Sequence, residues 1–579
     1  MYLVRLSANK PSFHTINFNE GLNFIVGGIK DKTNNEKKTY NGVGKSLMIK
    51  IIHFCLGSNP IDQFKQKLED WEFSLVIQIG KDEYEVTRNC SNQRKIFVDG
   101  KEYSLNDFRE FLGNKLFNLN KNDYKYLKYR SLISRFIRPN KYAYDSYDKF
   151  VNEEKDYQKN ICNAYLLGLN VKLVDEKREL IEKKKKIIDA KSLFEKDDTI
   201  KKFYEKDEKI DVTIVDLEQK IISLNKEIDN FKVADNYYEI RKEADNQQKE
   251  LADVENDLLL IKDALENINN SLDIKVDIST NKIIKMYEEA KVKLNDMVVK
   301  ELKEVEDFHN KLVENRIRRL KQQKKDLIKS QNEKEILRKN ISTELDKNLN
   351  LLGAYGALDE YNALINKLSQ YKAKLEKLNS YKDLIENYKN EINTININLE
   401  QENINTNKYL KESKEIREQN ILVFRELTHR FYPNKTGGIQ IENNDGDNLN
   451  RYTISASIED DTSDGVNGVK IFCYDYTMLL NGFNHNVRCL IHDSRLFSDI
   501  DPRQKGEAIK IANEYTNEYG FQYIVSLNED FIDSIGGISS EEEFEEIKGI
   551  IDKNTVLHLT DNDAEGKLLG IQVDLKYEE

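Results

Sequence analysis

The chain of 579 residues is 33% charged, with a net charge of −12 and a mean hydropathy of −0.70. This acidic balance excludes general electrostatic attraction for nucleic acid, so any such contact has to be local. The five cysteines form no CxxC pair, which argues against a disulfide framework and a cysteine zinc site. No apolar run approaches the ~20 residues that span a bilayer, and the N-terminus lacks a signal-peptide pattern, so we expect a cytoplasmic protein.

Residues 1–168 are predicted to form a lobe of mixed strands and helices. Short runs of β-branched and aromatic residues predict strands at Tyr2–Ser7, Phe13–Phe18, Leu22–Val26, Glu72–Ile79, Glu83–Arg88 and Lys95–Val98. The last three indicate an antiparallel sheet beside the strand that ends at Val26. A helix is expected over Leu47–Leu56.

A phosphate-binding loop is predicted between that strand and that helix. Such a loop needs backbone N–H groups that face one anion, a lysine for the terminal phosphates and a hydroxyl for Mg²⁺. The residues assigned to bind nucleotide here are Asn41, Gly42, Val43, Gly44, Lys45, Ser46 and Leu47. Thr39 stands where the general pattern has its first glycine, so a chance match is the alternative.

Residues 169–430 are predicted to be a coiled-coil insertion. The segment contains no proline and, from residue 169 to Leu352, no glycine, while apolar residues recur every three or four positions among lysine and glutamate. We expect the turn at the far tip near residues 267–280 and a break near residues 353–356. A helical array without coiled-coil pairing is the alternative.

Residues 431–579 are predicted to form a second lobe, in which glycine returns. Strands are expected at Ile439–Ile441, Tyr452–Ile458, Cys489–Ile491 and Tyr523–Ser526. Asp493 follows a short apolar run, as does the aspartate that holds Mg²⁺ in phosphate-loop ATPases, so we predict that Asp493 and Ser46 bind the metal. The alternative is an ordinary buried strand that happens to end in aspartate.

This combination resembles the SMC, RecN and RecF class of ABC ATPases: a loop reading NGVGKS, then about 450 residues later a strand that ends at Asp493, then Ser498–Pro502. The resemblance implies an α/β ABC-type P-loop ATPase head, split in sequence by a long antiparallel α-helical coiled-coil hairpin, with ATP and Mg²⁺ as cofactors. It implies that two heads dimerise around two ATP molecules. By position, Ser463 and Gly465 are then the signature residues that complete the partner's site, and a surface loop before a helix is the alternative.

The sequence departs from this class at two positions. Ser494 occupies the place of the usual catalytic glutamate, so whether ATP is hydrolysed stays open. Asp493 and Asp501 are the predicted catalytic residues, with Asp499 and Glu507 as further nearby carboxylates. The histidine that would sense the terminal phosphate is also missing, and Asn528 or Ser526 is expected to replace it.

A narrower resemblance is to the bacterial YydD-like family, whose C-terminal lobe is a domain of unknown function. It covers both lobes well and the insertion loosely, and the segments that carry it are Ser463–Gly465, Val469–Asp475, Ile491–Phe497, Leu559–Asp561, Gly566–Gly570 and Phe308–His309. The resemblance implies the ATPase component of a multi-component antiphage system with separate effector proteins.

One stretch of the first lobe is rich in basic and aromatic residues and could bind a phosphate backbone. Its members are Lys125, Lys128, Arg130, Arg135, Arg138 and Lys141 with Tyr124, Tyr126, Tyr129, Phe136 and Tyr142. Contact with double-stranded DNA, contact of Arg130 or Arg135 with the nucleotide, and a solvated face are three open interpretations.

Three functions follow. The first is an ATP-gated sensor whose heads dimerise and whose coiled coil changes shape, so that a separate effector responds. The second is a DNA repair or chromosome-associated ATPase that acts directly on DNA. The third is a structural coiled-coil protein whose nucleotide site has decayed.

Overall fold

A computed structural model describes most of the chain, and the described residues are 1–28, 42–120, 124–196, 210–229, 238–273, 296–351, 355–460, 464–536 and 540–573. The chain forms two compact units. The head unit combines Met1–Lys186 with Thr394–Glu579, and the helical unit consists of Ile187–Asn393.

Every strand among the described residues belongs to the head unit. They are β1 Tyr2–Ala8, β2 Ile16–Asn17, β3 Leu22–Gly28, β4 Glu72–Ile79, β5 Asp82–Asn89, β6 Lys95–Val98, β7 Lys101–Ser104, β8 Gly437–Asn443, β9 Tyr452–Ile458, β10 Cys489–His492, β11 Gln522–Asn528 and β12 Thr555–Thr560.

The first helices of the chain are α1 Lys45–Cys55, α2 Asp62–Lys67, α3 Leu105–Phe117, α4 Tyr129–Ile133, α5 Asp156–Leu166 and α6 Val171–Lys196. The long helices that follow are α7 Ile210–Asp229, α8 Tyr238–Asp273, α9 Asp296–Leu351 and α10 Tyr355–Glu412. The last are α11 Lys414–Phe431, α12 Asp464–Asn481, α13 Pro502–Tyr519, α14 Glu529–Gly536 and α15 Glu541–Asn554. Short 3₁₀ turns cover Lys141–Tyr144 and Ser494–Phe497.

A four-stranded parallel sheet, in the order β10-β11-β3-β12, brings the two ends of the chain together. β3 comes from the N-terminal part and lies between β11 and β12, which come from the C-terminal part. Every residue of β3 is buried, as expected for a parallel strand covered on both faces. In this register Asn528 lies opposite Gly27 and Thr560 opposite Gly28. The carboxyl ends of these strands therefore meet at one edge, where such sheets place their ligands.

A six-stranded antiparallel sheet, in the order β2-β1-β4-β5-β6-β7, lies in the same unit. β4 alternates between buried and half-buried residues, so one of its faces packs on the core. The strand predicted at Phe13–Phe18 is much shorter, because only Ile16–Asn17 pairs with β1. His14 N donates instead to Leu568 O at 3.0 Å. A partner from the far end of the chain overrides the local β-propensity of this segment.

In the helical unit, α8 and α9 pack antiparallel. Asn348 donates to Gln247 at 2.8 Å, and Lys334 pairs with Asp257 at 2.6 Å. Residue numbers therefore increase along α8 in the direction in which they decrease along α9. A small apolar cluster fills this contact: Ala244, Leu251, Val254, Ile341, Leu345 and Leu349. Spacings of seven and three residues on α8 and of four residues on α9 place these side chains on one stripe of each helix.

α10 contacts both α7 and α8 but with opposite directions. Lys382 pairs with Asp211 at 2.7 Å, and Tyr371 lies near Lys220, so α7 is antiparallel to α10. Lys377 pairs with Asp263 at 2.5 Å, and Tyr361 hydrogen-bonds Gln248, so α8 is parallel to α10. α7 and α8 consequently run in opposite directions.

This arrangement refines the predicted path of the insertion. The direction already reverses once from α7 to α8, so the outgoing part is not one continuous arm, and α8 is helical to Asp273, so residues 267–273 do not form a turn. Because α8 and α9 are antiparallel, a second reversal falls between Asp273 and Asp296, and a tip near residues 267–280 stays a prediction. Residues 274–280 lie outside the described residues. At the predicted break near residues 353–356, α9 ends at Leu351 and α10 begins at Tyr355, with residues 352–354 again outside the description. Within the described residues, no helix is both long enough and apolar enough to cross a membrane.

Candidate functional site

The predicted phosphate loop leads directly into α1. Gly42 and Gly44 have φ angles of 83° and 107°, in the left-handed region that glycine enters without a Cβ penalty. Because α1 begins at Lys45, the backbone N–H groups of its first turn have no partners within the helix and can face an anion. Asn41 lies outside the described residues.

The C-terminal segment of the chain packs against this loop. Leu568 N donates to Val43 O at 3.0 Å, and a Cβ on Gly44 would lie 2.5 Å from Leu568 Cβ. Val43 is 1% exposed and Leu47 is 5% exposed, so both serve the core below the loop. The predicted nucleotide role of Leu47 therefore rests on its backbone alone.

The ammonium group of Lys45 lies over the carboxyl end of β3. A Cβ at position 27 would collide with Lys45 Nζ, so Gly27 provides the room that the ammonium group occupies. Burial lowers the pKa of Lys45 to about 8, although Asp493 and Asp530 oppose the shift. A buried cation gains from a nearby phosphate because its own solvation is incomplete.

Ser46 and Asp493, the two predicted Mg²⁺ ligands, lie side by side. Ser46 Oγ donates to Asp493 Oδ2 at 2.6 Å, across 447 residues of sequence. Asp493 Oδ1 accepts from Arg495 N at 3.2 Å, and Asp493 N donates to the Tyr144 hydroxyl at 2.6 Å. A hydroxyl and a carboxylate are oxygen donors that suit Mg²⁺, so these residues fit the metal that a bound nucleotide would bring.

The carboxyl end of β11 distinguishes between the two residues considered for the phosphate sensor. Ser526 Oγ accepts from Ser494 N at 2.9 Å and so is already engaged. Asn528 Oδ1 is buried and has no hydrogen-bond partner among the described residues, although buried polar atoms are normally paired. Asn528 lies beside Gly27 in the sheet, which favours Asn528 as the group that would contact a bound phosphate.

Part of the predicted signature lies in the same head unit. Ser463 is outside the described residues, and α12 begins at Asp464. A Cβ on Gly465 would lie 2.6 Å from Asp499 O, so glycine is required for the close approach of α12 to the segment after Asp493. Whether Ser463 and Gly465 complete the site of a second head stays a prediction.

The other predicted carboxylates stabilise α13. Asp501 Oδ1 accepts from Arg503 N at 2.9 Å and caps the helix. Glu507 accepts from Arg430 Nε at 2.7 Å. The catalytic role of Asp501 stays a prediction, and Glu507 is used in an ion pair.

The basic, aromatic stretch is divided between surface and interior, because Lys125, Lys128 and Lys141 are exposed whereas Arg135 and Arg138 are buried. Arg135 is fully buried and forms two contacts with the Glu154 carboxylate, at 3.1 and 3.2 Å. Arg138 is equally buried and pairs with Asp475. Both guanidinium groups hold the interior together, because a buried charge requires a partner.

Arg130, predicted to contact the nucleotide, lies elsewhere. Its Nη1 is 3.4 Å from Gly57 O, just beyond the last residue of α1. The 11 residues of α1 extend over roughly 16 Å, so the phosphate loop is at the opposite end of that helix. The structure therefore does not bring Arg130 to the loop.

Sequence reasoning missed a buried network that supports Asp493. His492 Nε2 lies 2.9 Å from Asp475 Oδ2, and His492 Nδ1 lies 3.1 Å from the Tyr523 hydroxyl. Burial lowers the pKa of His492, while Arg138 binds the same Asp475 carboxylate. The available signal was Asp475, an aspartate between two buried tyrosines, Tyr474 and Tyr476, in α12.

Replacing Gly44 by alanine is expected to destabilise the head by about 1–3 kcal/mol, because alanine is strained at this φ and its Cβ would press on Leu568. Gly549→Ala is the matched control: Gly549 lies inside α15 with nothing within 4 Å, so alanine there should stabilise by about 0.5–1 kcal/mol. Urea unfolding measures both. Equal effects of the two substitutions would contradict the described loop conformation.

Comparison with known proteins gives one family match. Residues 427–573 match the family described as an uncharacterised protein conserved in bacteria (DUF2326). This segment contains Asp493 and Asn528 and covers the C-terminal part of the head unit. No curated protein matches the chain.

Among solved structures, the chain is similar to Smc head domains. One, with a coiled coil and joint, derives from Pyrococcus yayanosii: 15% identity, 95% of this chain and 99% of that chain covered, TM-score 0.34. Another, with an extended coiled coil and bound to the C-terminal domain of ScpA, derives from Pyrococcus furiosus: 13% identity, 92% and 90% covered, TM-score 0.33. Similarity at this level does not transfer function.

Proposed function

We propose that this protein is an SMC-like, ATP-binding switch whose heads associate in pairs when ATP and Mg²⁺ are bound. The observation that carries the proposal is the contact between Ser46 and Asp493. It joins the hydroxyl of the predicted phosphate loop, which follows β3, to the carboxylate that follows β10, a buried strand of the same sheet. Lys45, held over β3, would supply the positive charge for the terminal phosphates.

Binding, more than rapid turnover, is the activity that the site favours. Ser494 has no carboxylate with which to orient the attacking water, and Glu507 is engaged with Arg430. Two other carboxylates, Glu529 and Asp530, begin α14 immediately after Asn528. Asp530 influences the pKa of Lys45, so it is the carboxylate, besides Asp493, that we associate with any slow hydrolysis.

The setting that we propose is a multi-component bacterial defence system in which this chain senses and a separate protein acts. The support is the resemblance of the C-terminal motifs to YydD-like ATPases. Direct action on DNA is the second candidate, because SMC and RecN relatives contact DNA. The two candidates differ in whether double-stranded DNA stimulates ATP turnover.

The test is light scattering of the purified protein with and without ATP and Mg²⁺, combined with turnover measurements with and without long double-stranded DNA. We expect the mass to double with ATP and turnover to stay slow without regard to DNA. Asp493→Asn should remove the ATP-dependent mass change, whereas Asp62→Asn, an exposed change in the first turn of α2, should retain it.

Each other outcome favours a named alternative. DNA-stimulated turnover would favour the repair or chromosome-associated ATPase. A mass that ATP leaves unchanged would overturn the proposal and, without turnover, would favour a structural protein with a decayed site.

A further inference from the structure

Four basic side chains gather at the carboxyl end of α1, away from the phosphate loop: His53, Arg88, Arg109 and Arg130. We call them the arginine cluster. They come from α1, β5, α3 and α4 respectively, so the fold brings together residues that are dispersed in sequence.

The guanidinium groups share the backbone that follows α1. Arg88 Nη1 donates to Phe54 O at 2.6 Å and to Ser58 O at 2.9 Å. Arg109 Nε donates to Gly57 O at 2.8 Å, the same carbonyl that Arg130 Nη1 approaches at 3.4 Å. The arginine cluster therefore donates these hydrogen bonds to neutral backbone carbonyl oxygens.

No carboxylate pairs with these three arginines in the part of the chain that the structure describes. Two other buried arginines of the same lobe do have carboxylate partners: Arg135 pairs with Glu154 at 3.1 Å and Arg138 with Asp475 at 2.7 Å. A buried charge without a counter-charge is unfavourable. The lobe supplies counter-charges elsewhere, so their absence here is a property of this cluster.

The electrostatics agree with the geometry. Burial lowers the pKa of Arg88 and of Arg109 to about 9, and each of the two is lowered further by Arg130. Burial also lowers the pKa of His53, and all three arginines add to that shift. Because a guanidinium group stays protonated in proteins, the repulsion persists as a cost that a bound anion would relieve.

Hydrogen-bonding capacity also remains unused. Arg88 Nη2, Arg130 Nε and His53 Nε2 are buried and have no hydrogen-bond partner among the described residues. Arg88 is 0% exposed and His53 is 7% exposed, whereas Arg109 and Arg130 are partly exposed. The cluster thus has a buried floor with unpaired nitrogen atoms and an edge that solvent reaches.

We propose that the arginine cluster is a second anion site, which binds a phosphate group. Planar guanidinium groups bind phosphate oxygens through paired N–H bonds, and several of them converge here. The length of α1, roughly 16 Å, separates the cluster from the phosphate loop, so the proposal does not depend on ATP binding by that loop. A free phosphate and the backbone of a nucleic acid present the same chemistry.

The test uses the full chain carrying Lys45→Ala, so that the phosphate loop contributes less and contributes equally to all variants compared. The midpoint of thermal unfolding is compared in sodium phosphate and in sodium chloride of equal ionic strength. Phosphate stabilises most proteins by exclusion from their surface. The informative quantity is therefore a difference between variants in the rise of the unfolding midpoint that phosphate causes. The control variant adds Arg94→Gln, a change at an exposed arginine.

We expect phosphate to raise the midpoint of Lys45→Ala and of Lys45→Ala with Arg94→Gln equally. When Arg109→Gln and Arg130→Gln are added to Lys45→Ala, the rise of the midpoint in phosphate should be smaller by about 2 °C or more. The midpoint of the same double substitution in chloride is its reference, because the substitution removes both the repulsion and the hydrogen bonds to Gly57 O. An identical phosphate gain with the cluster intact and substituted would overturn the proposal.

A second measurement separates the two sources of phosphate. Fluorescence anisotropy with a short labelled DNA duplex compares the chain with and without the Arg109→Gln and Arg130→Gln substitutions. A loss of affinity of about tenfold or more, absent in Arg94→Gln, identifies a nucleic acid backbone as the ligand. Unchanged DNA affinity, together with a lost phosphate gain, identifies a small anion.

Discussion

Lys45→Ala is expected to weaken ATP binding at least about a hundredfold, which corresponds to about 2.7 kcal/mol. The Lys45 ammonium group lies over β3, where a terminal phosphate would contact it. The first turn of α1 contains no second lysine that could replace this charge. Isothermal titration with ATP and Mg²⁺ measures the affinity. Lys115→Ala, at an exposed position of α3, is the control and should bind as the unmodified protein does.

The fold should survive Lys45→Ala, because the substitution removes a poorly solvated charge and leaves the apolar core intact. The single tryptophan, Trp71, is buried in the head unit, so its fluorescence during urea unfolding reports on that unit. A variant that binds ATP with unchanged affinity while folded would remove the phosphate-loop assignment. A variant that unfolds would show instead that Lys45 is structural.

The pKa of Lys45 adds a pH dependence with a definite sign. In the free protein this pKa is lowered to about 8, and bound phosphates would raise it, so binding takes up a proton above that value. ATP affinity should be constant below about pH 8 and fall about tenfold per pH unit above it. The affinities at about pH 7 and about pH 9 measure this, and equal values would contradict a role for the ammonium group.

Asp475→Asn is expected to cost about 3–5 kcal/mol of head stability, the largest effect that we predict for one side chain. The substitution leaves the Arg138 guanidinium charged and fully buried without its carboxylate, and it also weakens the contact with His492. Urea unfolding followed by Trp71 fluorescence measures the loss. Glu102→Gln, which breaks the half-exposed pair with Lys95, is the control and should cost less than about 1 kcal/mol.

A double substitution separates charge from packing. Adding Arg138→Met to Asp475→Asn removes the unpaired charge, so the double variant should be more stable than Asp475→Asn alone. Stabilities that simply add would contradict the assignment of Arg138 and Asp475 as a coupled buried pair. Because His492 precedes Asp493, we also expect Asp475→Asn to weaken Mg²⁺-dependent ATP binding.

Much of the head was predictable from local pattern. The apolar run that ends at Gly28, the glycines at positions 42 and 44, and the aspartate at position 493 each carry a signal within a few residues. Periodicity likewise predicted long helices in the middle of the chain. These features depend on backbone preferences and burial, which neighbouring residues determine by themselves.

The sequence did not predict the directions of the helices in the helical unit. Repeats of three and four residues show that α7 and α8 each have an apolar stripe, but they do not show which helix covers it. Partners from α9 and α10 decide that, through contacts such as Asp211 with Lys382. The reversal from α7 to α8 was missed for this reason, since an isolated amphipathic pattern has no direction.

The sequence by itself determined the predicted chemistry of this protein: a predicted phosphate loop that contains Lys45 and Ser46, a strand followed by Asp493, and Ser494 at the position where the resembled class has a catalytic glutamate. Only the tertiary structure decided how that chemistry is supported. It buried Arg135 and Arg138 against carboxylates, left the arginine cluster without one, and set Asn528 beside Gly27. Burial and pairing depend on residues hundreds of positions apart, which no local pattern records.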